Sequence, residues 1–442
     1  MKTLKQILNA LNLTIDVDID ILAITTDSRQ VRPGTLFCAV KGQDLNGHDF
    51  IPDAIARGAS AVLSEKEIPD LYHRLGALAD FFYDEPSLHL KVIGVTGTNG
   101  KTSTTHYIAE LLYLLGEKAA VIGTVGNGVW GNIVEGERTT PDVLSLHKLL
   151  REFVDHGAKW VVMEVSSHAL NQNRVDGVRF YGAIFTNLTQ DHLDYHKTMA
   201  AYGQAKAKLF ARPELKIAVF NAEDPLSQTL IKNTPLTCQC FFYNSEPVVQ
   251  TNLLGRFNVS NLNAAFSMLG AAGFSLMHLQ QRAALLHPVK GRMEGLRYPN
   301  RPLIVIDYAH TPDALEKAIL ALKDYGKKIW VVFGCGGDRD PMKRPLMAKA
   351  AETFADEVIV TEDNSRTESI EQIFADIRAG FTRPHPFMED RTKAIHFALA
   401  QARPEDIILL AGKGHETYMD KDGVKTHYDE RKILTTIIQS KA

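Results

Sequence analysis

The chain has 442 residues, with 49 Lys or Arg against 52 Asp or Glu and a formal charge of −3. That length holds about three domains with sizeable cores, and a balanced charge without a long basic run excludes nucleic acid or an anionic membrane as the main partner. The N-terminus lacks the apolar core of a signal segment and no stretch nears the roughly 18–20 apolar residues of a membrane span, so a cytoplasmic protein without membrane insertion is expected; Cys38, Cys238, Cys240 and Cys335 are too scattered for a disulfide framework and read as buried or incidental thiols.

Residues 1–86 alternate helix and strand in a small α/β unit: a short N-terminal helix, Asp27-Ser28-Arg29, a turn at Pro33-Gly34, a strand over 35–40, a helix over 51–57 and a strand at 61–63. Residues 87–287 form a second region, with apolar strands at 92–96, 119–122, 160–163 and 183–185 between amphipathic helices. Such strands imply a mostly parallel sheet covered on both faces. Residues 288–442 alternate again, with strands at 303–306, 329–333, 358–360 and 407–410 that run into polar or glycine-rich ends, where open α/β sheets hold ligands.

The most telling segment is Val92-Ile93-Gly94-Val95-Thr96-Gly97-Thr98-Asn99-Gly100-Lys101-Thr102. Glycines let backbone N–H groups approach phosphate oxygens, Lys101 supplies a point charge and the Thr102 hydroxyl suits Mg²⁺, so the segment reads as a cradle for ATP. It departs from the strict P-loop, which wants glycine where Val95 stands; Gly94 comes one place early.

Further on, Glu164 ends an apolar strand, which beside a P-loop favours a metal-ligating carboxylate over a capping or surface glutamate. Asp191-His192-Leu193-Asp194-Tyr195-His196 packs two imidazoles and two carboxylates just beyond another strand, which favours a site over a structural histidine. Lys206 by itself reads as a solvated helix lysine. In the last third, Gly336-Gly337-Asp338-Arg339, Asp363-Asn364-Ser365-Arg366 and Gly412-Lys413-Gly414-His415-Glu416 follow three strands. Arginine, asparagine and glutamate there can grip the carboxylate and ammonium of an amino acid, against the alternative of capped turns with solvated charges.

Taken together these motifs resemble the Mur ligase family, in particular its tripeptide-synthetase branch, along nearly the whole chain. The resemblance is also carried by Thr26-Asp27-Ser28-Arg29, Thr139-Thr140-Pro141, Ala205-Lys206, Gly255-Arg256-Phe257-Asn258 and Asp307-Tyr308-Ala309-His310-Thr311-Pro312. It implies three α/β domains: 1–86 binding the uridine nucleotide, 87–287 carrying the ATPase, and a Rossmann-like 288–442 bringing the amino acid. It implies an ATP- and Mg²⁺-dependent ligase of peptidoglycan precursor synthesis, acting as a monomer. ATP phosphorylates the terminal carboxylate of UDP-N-acetylmuramoyl-L-alanyl-D-glutamate, and the amine of meso-2,6-diaminopimelate displaces the phosphate to form an amide.

Under the resemblance Gly97, Thr98, Asn99, Gly100, Lys101 and Thr102 hold ATP, with Asn258, Arg292 and Asp307 at the nucleotide. Thr102 and Glu164 hold magnesium, His192 joins Glu164 at a second ion, and Lys206 becomes an anionic ligand by carrying a carbamate. Ser28, Thr139, Thr140, Ser167, Gln172 and Arg174 match positions that hold the UDP-muramoyl substrate, and Arg339, Asp363, Asn364, Arg366, Gly412 and Glu416 match the diaminopimelate site.

Two departures stand out. The diaminopimelate signature reads Asp-Asn-Pro-Arg in the family and Asp363-Asn364-Ser365-Arg366 here; serine loosens a turn while Arg366, the cation for the distal carboxylate, is kept. The stretch between Phe210 and Gly255 is shorter than usual for the branch, which either trims the periphery of the central domain or marks a paralogue for another amino acid, such as L-lysine, or a related carboxylate. A folylpolyglutamate-type ligase leaves Asp27-Ser28-Arg29 and the Arg366 loop unexplained. A P-loop switch or motor expects a strict Walker loop and a strand ending in Asp, and a non-catalytic nucleotide-binding protein needs no full metal set.

Overall fold

The computed structural model describes residues 2–13, 17–42 and 45–439. The chain divides into two compact units, Met1–Asn244 with Asn261–Arg282, and Ser245–Ser260 with Ala283–Ala442.

In the first unit a three-stranded parallel sheet, Ala23–Thr25, Thr35–Ala39 and Ala61–Ser64, precedes a larger one. Among the described residues the larger sheet has seven strands, ordered Gln239–Tyr243, Ile217–Asn221, Phe180–Phe185, Lys91–Thr96, Trp160–Glu164, Ala119–Gly123 and Gly126–Val129. Every neighbouring pair is parallel except the last, a hairpin. After Lys91–Thr96 the chain fills one flank, then crosses to the other after Trp160–Glu164. The order thus reverses beside the phosphate-cradle strand, which opens a crevice at the strands' carboxyl ends. Val92, Val161, Val162 and Ile184 are fully buried, each stabilising the sheet by about 1.5–3 kcal/mol relative to exposure; this two-faced burial is why the strands read as unbroken apolar runs.

Capping side chains set where the flanking helices begin. Asp142 accepts from Leu144 N and Ser145 N before Val143–Asp155, Ser166 accepts from Ala169 N before Ser167–Asn171, and Thr198 accepts from Ala201 N before Met199–Ala207. The last two caps aim the chain that follows Glu164 and the helix that carries Lys206. The shortened stretch after Phe210 still supplies two parallel strands, and the outer one, Gln239–Tyr243, ends the sheet with Cys240 and Phe242 exposed.

The second unit holds a sheet ordered Glu294–Leu296, Leu303–Asp307, Ile407–Ala411, Ile329–Phe333, Glu357–Thr361 and Phe387–Met388, parallel after the first pair. A hairpin, Tyr418–Lys421 with Val424–His427, follows it. Buried arginines tie neighbouring helices and their flanking turns: Arg391 pairs with Glu430, and Arg344 with Glu368 and Asp376. No helix among the described residues is long and apolar enough to cross a membrane.

Candidate functional site

The turn after Lys91–Thr96 is held by backbone geometry that only glycine meets. Gly97 has φ +149°, and a Cβ on it would lie 1.8 Å from Thr186 Oγ1; Gly100, at φ +85°, turns the chain into the helix Lys101–Leu114. The strand-end segment 186–189 braces the turn. Asn187 O accepts from Thr98 N at 2.8 Å, Asn187 Oδ1 from Asn99 N at 2.9 Å, and Thr186 Oγ1 donates to Asn99 O at 2.6 Å. Lys101 Nζ folds back onto Gly97 O and Thr98 O, 2.9 and 2.8 Å away.

Glu164 closes this cradle as the last residue of its strand, 1% exposed. Its Oε2 accepts from Thr102 Oγ1 at 3.0 Å and Thr124 Oγ1 at 3.2 Å, and its Oε1 from Thr124 N at 2.7 Å. A Cβ on Gly123 would lie 2.4 Å from that Oε1, so the end of Ala119–Gly123 must be bare for the carboxylate to pass. The alternative of a surface glutamate falls away: Glu164 is a buried carboxylate aimed at the cradle's threonine.

Lys206 corrects its reading as a solvated lysine. It is 1% exposed, donates to Gly97 O at 2.8 Å and lies 4.3 Å from the Tyr202 ring centre. Burial, with the charge of Lys101 adding to it, lowers its pKa well below the ordinary lysine value. Tyr202 also shares a hydrogen bond with Thr98 Oγ1, 3.2 Å, so one helix reaches both the turn and the buried amine.

Beside it stand three imidazoles. His192, with φ +54°, is half-exposed and rests against Asp191, whose Oδ1 accepts from its N at 2.9 Å. His168 lies 4.8 Å from His192 and 4.2 Å from Tyr195 between ring centres; His196 stacks on Tyr202 at 5.0 Å and bonds Ser167 Oγ at 2.9 Å. Burial, then His192, pushes His168 down to about 4, which keeps that imidazole neutral at pH 7.

Of the residues expected to hold the muramoyl substrate, Thr139 and Thr140 lie against Thr124 and Glu164. Thr140 Oγ1 donates to Glu164 O at 2.9 Å, Thr139 pairs with Thr124 at 3.0 Å, and Arg174 reaches Gln172 Oε1 at 2.9 Å and Thr140 O at 3.2 Å. Ser28 is buried on the turn Ser28–Gln30 and bonds Asp53.

In the second unit Asn258 is 1% exposed and its Nδ2 donates to Leu254 O at 2.8 Å. Arg292 lies over the Tyr308 ring, 4.4 Å from its centre; Asp307 accepts from Met293 N and Ala309 N at 2.7 and 2.8 Å. Burial raises the Asp307 pKa, with Arg292 opposing.

The three expected loops do converge at neighbouring strand ends. Asn364 Nδ2 donates to Glu416 Oε2 at 2.9 Å, Arg366 Nη1 to Gly337 O at 2.7 Å, and a Cβ on Gly412 would lie 2.5 Å from Asp363 Oδ2. Burial works against the charge on Asp363, yet Lys413 and Arg391 outweigh it and hold that carboxyl below the usual range. Arg339 is exposed, its Nη1 on Asp338 O at 3.0 Å. Arg366, at φ +50°, is held by the hairpin: its N donates to Asp420 O at 3.0 Å and its O accepts from Asp422 N at 2.7 Å. That strap supplies the rigidity a proline at 365 would give.

Sequence reasoning missed Gly123-Thr124, Tyr202 and Lys413. The first had a signal, a Gly-Thr directly after an apolar strand; Tyr202 and Lys413 had none beyond their place in a helix and a loop. A cavity of about 480 Å³ lined by Leu88, Lys91, Trp160 and Phe274 opens at the amino ends of the same strands, away from this chemistry.

The fold and the cradle define an α/β ligase architecture, and three matched regions agree: residues 95–247 with the Mur ligase middle domain, 291–414 with the glutamate ligase domain, and 20–79 with the Mur ligase family catalytic domain. The chain belongs to the Mur ligase family. It is 41% identical to the UDP-N-acetylmuramoyl-L-alanyl-D-glutamate--2,6-diaminopimelate ligase of Haemophilus influenzae, covering 99% of this chain and 100% of that one. That alignment spans 492 positions, more than this chain's 442 residues, so the relative carries segments absent here. The same-named Chromobacterium violaceum enzyme is 43% identical over 93% of this chain and 92% of its own. A solved structure of an enzyme of that name superposes with TM-score 0.71 at 36% identity, covering 99% of both chains; a MurF structure from Acinetobacter baumannii, at 19% identity, TM-score 0.68 and 99% coverage of both, shares the fold.

Proposed function

We propose that this chain is the ATP-dependent ligase that joins meso-2,6-diaminopimelate to UDP-N-acetylmuramoyl-L-alanyl-D-glutamate in peptidoglycan precursor synthesis. The observation that carries the reading is the buried Thr102–Glu164 pair, 3.0 Å apart, closed against a phosphate cradle that also buries Lys206. Full-length similarity to enzymes named for that reaction supports the choice of substrates. The work divides among residues 1–86 for the uridine nucleotide, 87–287 for ATP and 288–442 for the amino acid. The chain acts in the cytoplasm as a monomer on small-molecule substrates.

The donor set fits magnesium: a hydroxyl and a carboxylate are hard oxygen ligands of the kind that ion shares with phosphates and water. Thr102, Glu164 and a Lys206 carbamate would hold it, with His192 joining Glu164 at a second ion. When bound, magnesium offsets charge on the transferred phosphoryl. The rest is this chain's own work. The turn 97–102 presents N–H groups to the phosphates, and Lys101 exchanges its two carbonyls for phosphate oxygens. Burial lowers the Lys206 pKa well below the ordinary lysine value, which favours the neutral amine, the form that adds to CO₂ with loss of a proton. Thr139, Thr140, Ser167, Gln172 and Arg174, with Ser28, orient the muramoyl dipeptide so that its carboxylate attacks the γ-phosphorus and ADP leaves. Arg366 and Glu416 then hold diaminopimelate while its amine attacks the acyl carbon; phosphate leaves and a proton is lost. Asn258, Arg292 and Asp307 serve the nucleotide.

Purified protein should release phosphate from ATP only when the UDP-muramoyl dipeptide and meso-diaminopimelate are both present. Equal turnover with L-lysine overturns the specificity, and turnover with ATP alone overturns the ligase reading.

A further inference from the structure

Beyond the strand Ile407–Ala411, between two glycines, the chain buries a lysine completely: Lys413 is 0% exposed. An ammonium taken from water costs several kcal/mol unless it is paired and hydrogen-bonded, so its partners show its use. Lys413 Nζ donates to Asn364 Oδ1 at 2.9 Å and to Glu416 Oε2 at 2.8 Å, with Asp363 Oδ1 3.8 Å away and the Tyr418 ring centre at 5.1 Å. All three acceptors belong to the loops that the proposed reaction gives to the amino acid.

The hydrogen bonds form a closed set. Asn364 Oδ1 accepts from both Lys413 Nζ and Asp420 N, each at 2.9 Å, so its NH₂ must face Glu416, whose Oε2 it meets at 2.9 Å. Glu416 Oε2 thus takes two donors, which fixes the carboxylate in the loop. Lys413 also lies between the carboxylates of Asp363 and Glu416, and so holds the charge of the subsite near balance.

We propose that Lys413 is the positioning residue of the amino-acid subsite: without touching the amino acid it orients Asn364 and Glu416, offsets Asp363, and thereby sets the preference for a side chain that ends in both a carboxylate and an ammonium. The proposal rests on the diaminopimelate reading. Removing Lys413 adds net negative charge beside Arg366, which penalises the distal carboxylate of diaminopimelate and spares the lone distal ammonium of L-lysine.

The test measures initial rates of phosphate release by the full chain, varying each substrate in turn, for the wild type, Lys413→Met and Lys413→Gln, with circular dichroism and thermal midpoints reporting the fold. In folded variants KM for diaminopimelate rises about tenfold or more, KM for ATP and for the muramoyl dipeptide stays within about twofold, and the kcat/KM preference for diaminopimelate over L-lysine falls about tenfold. An unchanged KM for diaminopimelate, or a fall in kcat with every KM and the preference unmoved, overturns the proposal. Loss of the fold in both variants makes Lys413 a core ion pair and overturns it too. A wild-type chain that prefers L-lysine breaks the functional reading alone, and the KM comparison is then made on lysine.

Discussion

The phosphate cradle and the amino-acid loops both gather charge at the carboxyl ends of parallel strands, yet they settle it in opposite ways. In the cradle, the amino groups of Lys101 and Lys206 rest on the neutral carbonyls of Gly97 and Thr98, and Glu164 is held by threonine hydroxyls and a backbone N–H. In the loops, Lys413 is set directly against Glu416 and Asp363, and the flanking elements are held by Arg391–Glu430 and Arg344–Glu368. A site that rests Lys101 on carbonyls can offer that charge to a triphosphate. One that balances its own charges, if it takes the proposed amino acid, would read that zwitterion by geometry, since only a ligand with matching signs at matching places improves on the pairs already made.

Breaking the cradle should cost most. Lys206→Ala is expected to lower turnover by about a thousandfold or more, with partial recovery on adding short carboxylic acids, read by phosphate release; full activity without them would separate Lys206 from the reaction. Glu164→Gln keeps the shape and two of the contacts but loses the charge, and kcat should fall about a hundredfold with little change in the diaminopimelate KM.

The loops should respond in the other parameter. Arg366→Ala removes a cation whose charged hydrogen bonds contribute about 1.5–3 kcal/mol, so KM for diaminopimelate should rise tenfold to a hundredfold while KM for ATP holds. A parallel rise in both would erase the contrast between the two regions. The smallest effect concerns pH. Burial, then the charge of Arg292, takes His415 down to about 3. Below pH ~6.5 the unfolded chain therefore binds a proton that the folded one refuses, and stability falls by about 1.4 kcal/mol per pH unit between 6.5 and that folded value. Thermal midpoints of the second unit should drop from pH 6.5 to 5.5 by a corresponding step of about 1 kcal/mol, be flat above 7, and lose much of the slope in His415→Gln.

The cradle was legible because its chemistry is local. Eleven consecutive residues carry strand, turn, charge and hydroxyl, and Glu164 announced itself by ending an apolar strand. The amino-acid loops were legible as three polar strand ends, and the order of motifs along the chain named the family. Less visible were contacts whose partners lie far away in the chain. Lys206 meets the carbonyl of a residue 109 positions earlier, so composition alone assigns it to solvent, and only the resemblance reversed that reading. Thr124 and Glu164 are 40 positions apart, and Lys413 and Asn364 are 49. Ser365 looked like a loosened turn because the hairpin that braces Arg366 lies more than fifty residues on.

By itself, then, the sequence determined the strand and helix alternation, the phosphate turn and the kinds of side chain at each strand end, because periodicity, glycine placement and residue chemistry act over a few neighbouring positions. Tertiary structure alone decided which of those charges are buried and against what. Whether a lysine is a solvated cation, a buried amino group on a glycine carbonyl or the centre of an ion-paired network depends on groups the fold brings from elsewhere, and that choice separates the cradle from the loops.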